Sequence, residues 1–394
     1  MSLALNELRP VFVVGIGLHR YQYLSETPYV QLGLTAVRAA LTDANIEWPQ
    51  VESAYVAKAL LPMAPGRPML RHLGSHGLPI THVENASASG STAFRHACIE
   101  VAAGISDVSL AVGVDKPAKV VRAETLAGIP NLANDAIVPF THFALLADEY
   151  AHRHNIDANL MAESLARVAL KNHNNAALNP YAQRQQQRSL EEILNGKKIS
   201  GNFTSLQCTP IGEGAAAVIV ASEAGIKQLG IDPNRAVRVN ASTGRSQSVY
   251  KEASNGQELI ASSFDAPLTE ETTALALQQA GIQVAELDLV ELHDAFSIEE
   301  LEYVERMGLC PPGQAIHYLK DGVFDINGQC AVNASGGLIG MGHPIGPTGI
   351  GQIAEITRQL RGEAGVRQHK NARLGLAHMV GVGAVCFVHI LSKD

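Results

Sequence analysis

Three short stretches carry the side chains best suited to bond chemistry: Ala86-Ser87-Ala88-Ser89-Gly90-Ser91, His293-Asp294, and Gly342-His343-Pro344. A serine becomes a nucleophile when a neighbouring base takes its proton, and a histidine is the commonest such base near neutral pH. His343 lies within residues 332–349, which hold six glycines and two prolines. That much glycine costs backbone entropy, and a chain accepts it where backbone turns tightly or approaches a ligand closely. A structural loop with an incidental histidine would explain Gly-His-Pro on its own. The small-residue turn at 86–91 and the second histidine at 293 point instead to a composite site.

The elements that must position these groups follow a repeating pattern. Residues 10–17 (PVFVVGIG) read as a buried strand, 30–45 as a helix with apolar residues at helical spacing, and 51–58 as a second strand. Strand–helix–strand implies parallel pairing. A short strand (THVEN) then meets the turn at 86–91, a helix is predicted from about 92 to 103, and 108–114 is an apolar strand. A strand–turn–helix junction puts Ser87 where free backbone N–H groups favour a developing anion. Ser87 could equally serve as the helix N-cap, as could Ser89 or Ser91.

Residues 118–235 differ in character, with a polar helix at 157–175, a Gln/Arg-rich run at 183–188 and an Ala/Val strand at 215–221. We read them as an insertion that contributes to a ligand site. From 235 the first pattern returns. Leu277 to Ile282 echoes Leu41 to Ile46, and Asn333-Ala-Ser-Gly echoes Asn85-Ala-Ser-Ala. Two similar α/β halves, 1–235 and 236–394, fit one pseudo-twofold molecule, with ligands expected at the carboxyl ends of the strands.

Composition narrows the function classes. A net charge of −8 disfavours nucleic acid, and no run of eighteen apolar residues suggests a membrane span. The N-terminus lacks a basic segment followed by an apolar core, so no export is expected. The five cysteines (98, 208, 310, 330, 386) show neither CxxC nor metal-ligand spacing. The expectation is a cytoplasmic protein without a metal site. The close pair His152 and His154 reads as surface.

Taken together, NASASGSTA (85–93), NHNNAALNPYAQ (172–183), LQCTP (206–210) with GEGAAA (212–217), ELHDAFS (291–297), NASGGLIGMGHPIGPTG (333–349) and HMVGVG (378–383) resemble the thiolases. The sterol-carrier-protein type is the most similar, and the resemblance spans nearly the whole chain. It implies a five-layered αβαβα fold of two βαβαβαββ halves with a loop domain inserted in the first. It also implies a homodimer or tetramer acting on acyl-CoA or 3-ketoacyl-CoA, with coenzyme A as part of the substrate and no permanently bound cofactor.

By the same resemblance, position 87 is the acylated nucleophile, His343 its base, His293 an oxyanion donor and Asp294 the group orienting His293. Gly381 supplies an oxyanion N–H, and Thr209 and Asn333 line the substrate channel. Asp294 could instead cap the helix beginning near Ser297, and Thr209 could be a turn residue.

The chain departs from the family pattern in the residues that matter most. Position 87 is serine rather than cysteine, Ala295 replaces the cysteine of HDCF, and Met379 stands where CxG has its cysteine. A serine hydroxyl is much harder to deprotonate than a thiol of pKa about 8.5. Three readings follow: an acyltransferase using Ser87, a retro-aldol lyase on β-hydroxyacyl-CoA working with a small OB-fold/zinc-ribbon partner, or a non-catalytic CoA-thioester or lipid-binding subunit.

Overall fold

The structure is a computed structural model, and it describes residues 4–117, 139–246, 266–381 and 385–393. The start of the expected insertion and the end of HMVGVG lie outside the described residues. The first half runs β1 (Val11–Gln22), α1 (Tyr29–Ala44), β2 (Ser53–Ala57), α2 (Gly66–Leu70), β3 (Ile80–Val83), α3 (Ser89–Ala102) and β4 (Val108–Asp115). After it come α4 (Pro139–Arg153), α5 (Ala158–Ala177), α6 (Leu190–Leu194) and the small pair β5 (Lys198–Ser200) and β6 (Phe203–Thr204). Next are β7 (Glu213–Ser222) and α7 (Glu223–Leu229).

The second half comprises β8 (Val237–Ser246), α8 (Ala266–Ala280), β9 (Leu289–Glu291), α9 (Ser297–Arg306), α10 (Ala315–Lys320) and β10 (Ala331–Val332). It closes with α11 (Gly337–Gly340), α12 (Thr348–Leu360), β11 (Leu374–Gly381) and β12 (Val385–Ser392).

Strand order makes the repeat visible. The ten-stranded sheet reads β10-β9-β11-β12-β8-β1-β7-β4-β2-β3, so each half contributes the same sequence of strands outward from the centre. In both halves the two outer pairings are parallel and the inner ones antiparallel. The halves join through β1 and β8, where Phe12 faces Arg238 and Val13 faces Val237.

α1 covers one face of the first half. α3 and α12 lie between the halves and touch strands of both, and α8 covers the far face of the second. That stacking is the expected five-layered αβαβα. Strand β7 is buried along its whole length because helices cover both faces.

The placement of β7 corrects the expected insertion of 118–235. β7 pairs with β1 and β4, so the excursion from the sheet ends before Glu213. The echo of 41–46 in 277–282 also has a structural cause. Asn45 and Gly281 both adopt the left-handed conformation just past α1 and α8, with φ of 55° and 70°. Each ends its helix at the same point before the next strand. α3 begins at Ser89, earlier than predicted, with Ala88 at the N-cap and no side-chain cap. Of the surface pair, His152 is exposed, whereas His154 is half-buried with Nε2 3.7 Å from Glu305.

Candidate active site

α3 and α11 start at equivalent points of the repeat, at Ser89 and Gly337. α3 continues unbroken, but α11 stops after one turn and a loop carries His343 before α12 begins. Gly342 (φ 109°) and Pro344 enforce the break. His343 is thus carried by an interruption in an otherwise repeated helix.

This loop lodges in the first half. A Cβ added at Gly113 of β4 would lie 2.4 Å from Pro347 Cα, and one at Gly90 of α3 would lie 2.7 Å from the Gly346 carbonyl oxygen. Only glycine permits so close an approach at either position. The buried Asp115 fastens the same loop. Its carboxylate accepts N–H bonds from Gly346 (2.8 Å), Ala59 (2.8 Å), Leu60 (2.8 Å) and Leu61 (3.1 Å). Burial pushes its pKa up to about 6, and the four N–H bonds oppose that rise. The Tyr21 hydroxyl donates to the Pro347 carbonyl at 3.1 Å.

Ser87 sits in the turn between β3 and α3, next to Ala86 at φ 48°. Its Oγ lies 2.9 Å from His343 Nε2, so it does not cap the helix. On the other ring nitrogen, His343 Nδ1 lies 2.8 Å from Thr348 Oγ1. Burial, and then the neighbouring His293, hold the pKa of His343 well below the usual imidazole value. The ring is therefore neutral at pH 7. Both partners are hydroxyls, and the tautomer with Nδ1–H donated to Thr348 leaves Nε2 to accept the serine hydroxyl. Gly381, the last residue of β11, abuts the turn that carries Ser87, since a Cβ there would meet the Asn85 carbonyl oxygen at 2.4 Å.

His293 stands beside this pair, its ring perpendicular to that of His343 with centroids 5.5 Å apart. The carboxylate on its Nδ1 is Glu299, at 2.8 Å, and not Asp294. The Asp294 carboxylate turns the other way, toward α11, and accepts from Leu338 N–H (2.6 Å) and Asn172 Nδ2 (2.8 Å). Burial raises its pKa well above the usual carboxylate value, with the nearby Glu300 adding to the rise. Asp294 thus secures the turn leading to His343, and the helix at Ser297 is not the one it caps.

Asn333 and Thr209 also differ from expectation. Asn333 Oδ1 accepts from Leu292 N–H and its Nδ2 donates to Glu300, both at 2.9 Å, so its amide is spent on internal structure. The Thr209 hydroxyl donates to the Leu338 carbonyl at 2.9 Å, which makes it a turn fastener. Neither side chain is directed to a ligand by these bonds. Ala295 and Met379 are buried. All five cysteines are buried as thiols, their pKa values raised chiefly by desolvation.

Three functional contacts were not foreseen. Glu299 falls at the third residue of α9, where a carboxylate commonly reaches back to the residue before the helix, and Oε2 does accept from Phe296 N–H. Thr348 could have been suspected from its place in the glycine-rich loop. Nothing in the sequence marks Asp115.

A model of the thiolase N-terminal domain matches residues 15–224, and one described as thiolase C-terminal domain-like matches residues 258–393. The chain belongs to the thiolase family. It is 34% identical to the benzoylsuccinyl-CoA thiolase subunit BbsB of Thauera aromatica, over 95% of each chain. It is 34% identical to sterol carrier protein 2 of Homo sapiens, over 97% of this chain and 71% of that one.

An acetyl-CoA acetyltransferase of Methanothermobacter thermautotrophicus is 32% identical over 98% of this chain and all of that one. Among solved structures, an Ltp2-ChsH2(DUF35) aldolase superposes with a TM-score of 0.83 at 24% identity, covering 98% of both chains. At that identity the likeness concerns the thiolase fold alone. No helix among the described residues of this thiolase-family chain is long and apolar enough to cross a membrane.

Proposed function

We propose that this thiolase-family protein is an acyltransferase that takes the acyl group of a CoA thioester onto Ser87. The observation that carries the reading is the 2.9 Å contact between Ser87 Oγ and the Nε2 of a neutral His343 braced by Thr348. His343 Nε2 accepts the serine proton while Oγ bonds to the thioester carbon. The carbon–sulfur bond breaks, and the departing thiolate takes the proton from His343. Backbone N–H groups of Ser87 and Gly381 are assigned to the oxyanion. Coenzyme A serves as substrate and product in this scheme, with no resident cofactor, in a cytoplasmic homodimer.

A second reading rests on Ala295 and Met379. With no protic side chain at either position, a retro-aldol lyase that needs no acyl-enzyme also suits the site. The aldolase among the structural neighbours is named with a DUF35 partner, and an analogous small partner belongs to this reading.

Intact-protein mass spectrometry after incubation with acetyl-CoA and longer acyl-CoAs separates the two. An acyl adduct that vanishes in Ser87→Ala supports the acyltransferase. No adduct on the unaltered protein, with a rapid one on Ser87→Cys, refutes it and favours the lyase.

A further inference from the structure

The ends of α4 and α9 and one face of α8 enclose a cleft of about 430 Å3. Glu270, Ala274 and Leu277 line it from α8, four and three residues apart and so on one side of the helix. Arg153 and His154 enter from the end of α4, and Glu305, Arg306 and Met307 from the end of α9. Small-molecule sites span roughly 300–1,000 Å3, so the space suits a compact ligand. Glu305 lies near the opposite end of α9 from Glu299, the carboxylate that meets His293.

The charged groups of the cleft divide into paired and unpaired. Arg153 donates to Glu302 at 2.9 Å and to Glu149 at 3.2 Å, and Arg306 reaches Glu270 and Glu302, both at 3.4 Å. Both guanidiniums are already balanced, which leaves an anionic ligand no free cation. Glu305 differs. Its side chain is 6% exposed, and Oε1 accepts from the Tyr150 hydroxyl (2.6 Å) and Ala315 N–H (3.0 Å). Oε2 takes no hydrogen bond among the described residues; it faces His154 Nε2 at 3.7 Å, beyond hydrogen-bond range. The histidine ring is itself backed against a turn, since a Cβ at Gly313 would lie 2.7 Å from its Nδ1.

An enclosed carboxylate oxygen without a donor is costly to leave unsatisfied. One carboxylate and one imidazole fall short of a metal's ligand set, and no group of three or more His, Cys, Asp or Glu among the described residues is placed to hold a metal ion. An organic cation supplies the missing donor. An ammonium carries three donors and no acceptor, which matches an unpaired carboxylate oxygen beside paired guanidiniums.

We propose that this cleft is a second ligand site, separate from Ser87 and His343, for a primary ammonium on a short alkyl chain. The nitrogen donates to Glu305 Oε2, and the chain lies along Leu277 and Met307. The same chemistry reaches the cleft as a free alkylamine or as the lysine side chain of a partner. The site stands whether or not Ser87 is acylated.

Ligand-observed NMR titrations of the full chain with butylamine, putrescine and a lysine blocked at both its amino and carboxyl ends test the site, with butanol as the uncharged counterpart. The amines are expected to bind saturably at about millimolar concentration, and butanol is not. Glu305→Gln keeps an acceptor but removes the charge and should weaken amine binding roughly tenfold or more. Because Glu305 also holds Tyr150 and Ala315, Ala274→Trp supplies a second variant, which fills the cleft from an exposed position on α8 without touching the core. It should weaken binding by a similar factor. Glu191→Gln, an exposed carboxylate on α6 that does not line the cleft, should leave the affinity unchanged.

Tighter binding of putrescine assigns the cleft to free amines, and tighter binding of the blocked lysine assigns it to a partner's side chain; both support the proposal. Amine binding that survives Ala274→Trp or a folded Glu305→Gln within about twofold, equal binding of butanol, or no binding of any amine overturns it.

Discussion

Substituting Gly113→Ala tests how tightly the base loop is held. The added Cβ would lie 2.4 Å from Pro347 Cα and 2.7 Å from the Gly346 carbonyl oxygen, both backbone atoms that no rotamer change can move aside. Carbon atoms in contact need roughly 3.5 Å, so the loop must retreat by about 1 Å. Carried through to His343, that retreat lengthens the 2.9 Å contact with Ser87 beyond hydrogen-bond range.

Overpacking of this kind should cost about 1–3 kcal/mol of stability, and a misplacement of that size should slow acylation of Ser87 roughly 100-fold. Urea unfolding at pH 7 measures the first quantity, and the rate of adduct formation by intact mass measures the second. If stability stays within about 0.5 kcal/mol of the unaltered protein, the close approach is not a constraint. If stability falls but the acylation rate is unchanged, the Ser87–His343 contact does not govern the chemistry, and the reasoning from geometry to mechanism fails.

Two further outcomes concern stability. His378 and His389 are buried, and desolvation is the first cause lowering both to about 3, with His293 and Arg95 respectively adding to it. A folded pKa below the unfolded value of about 6.5 means that their contribution is complete above pH 6.5 and is lost as pH falls toward 3. By pH 5 each costs about 2 kcal/mol. Compared by urea unfolding at pH 7 and pH 5, His389→Gln should lose about 2 kcal/mol less on acidification than the unaltered chain; an unchanged slope counts against the assignment. Asn333→Ala leaves the buried Leu292 N–H and one contact to Glu300 unpaired and should cost about 2–4 kcal/mol. Asn333 has φ 56°, so Asn333→Gly should be less damaging than the alanine by about 1 kcal/mol in the same unfolding measurement.

The layered fold and the meeting of Ser87 with His343 were legible because each rests on a local signal. Asn45 and Gly281 stop equivalent helices, and the small residues at 86–91 and 336–349 declare close backbone approach. Partner choice was less legible. Asp294 adjoins His293 in sequence, yet its carboxylate turns away to Leu338 and Asn172. A carboxylate one turn into the next helix reaches the ring instead. Asn333 looked like a ligand contact because it sits in the loop motif, but a left-handed residue beneath a buried turn must satisfy its neighbours first. The Ala/Val run at 215–221 was recognised as a strand of the first half, while its place in the main sheet rather than in the insertion depended on pairing with the sequence-distant β1 and β4, which no local pattern reveals.

Ser87 and His343 come from opposite halves of the chain, 256 positions apart, and the loop bearing the histidine is gripped by glycines and Asp115 of the first half. During synthesis the nucleophile turn emerges long before its base. The closure that unites them is among the longest in the molecule and is expected late in folding. An incompletely folded or truncated chain would hold an ordinary serine with no base beside it. On the proposed mechanism, reactivity toward thioesters would be reserved for molecules that have finished folding, and nascent chains would be protected from acylating themselves.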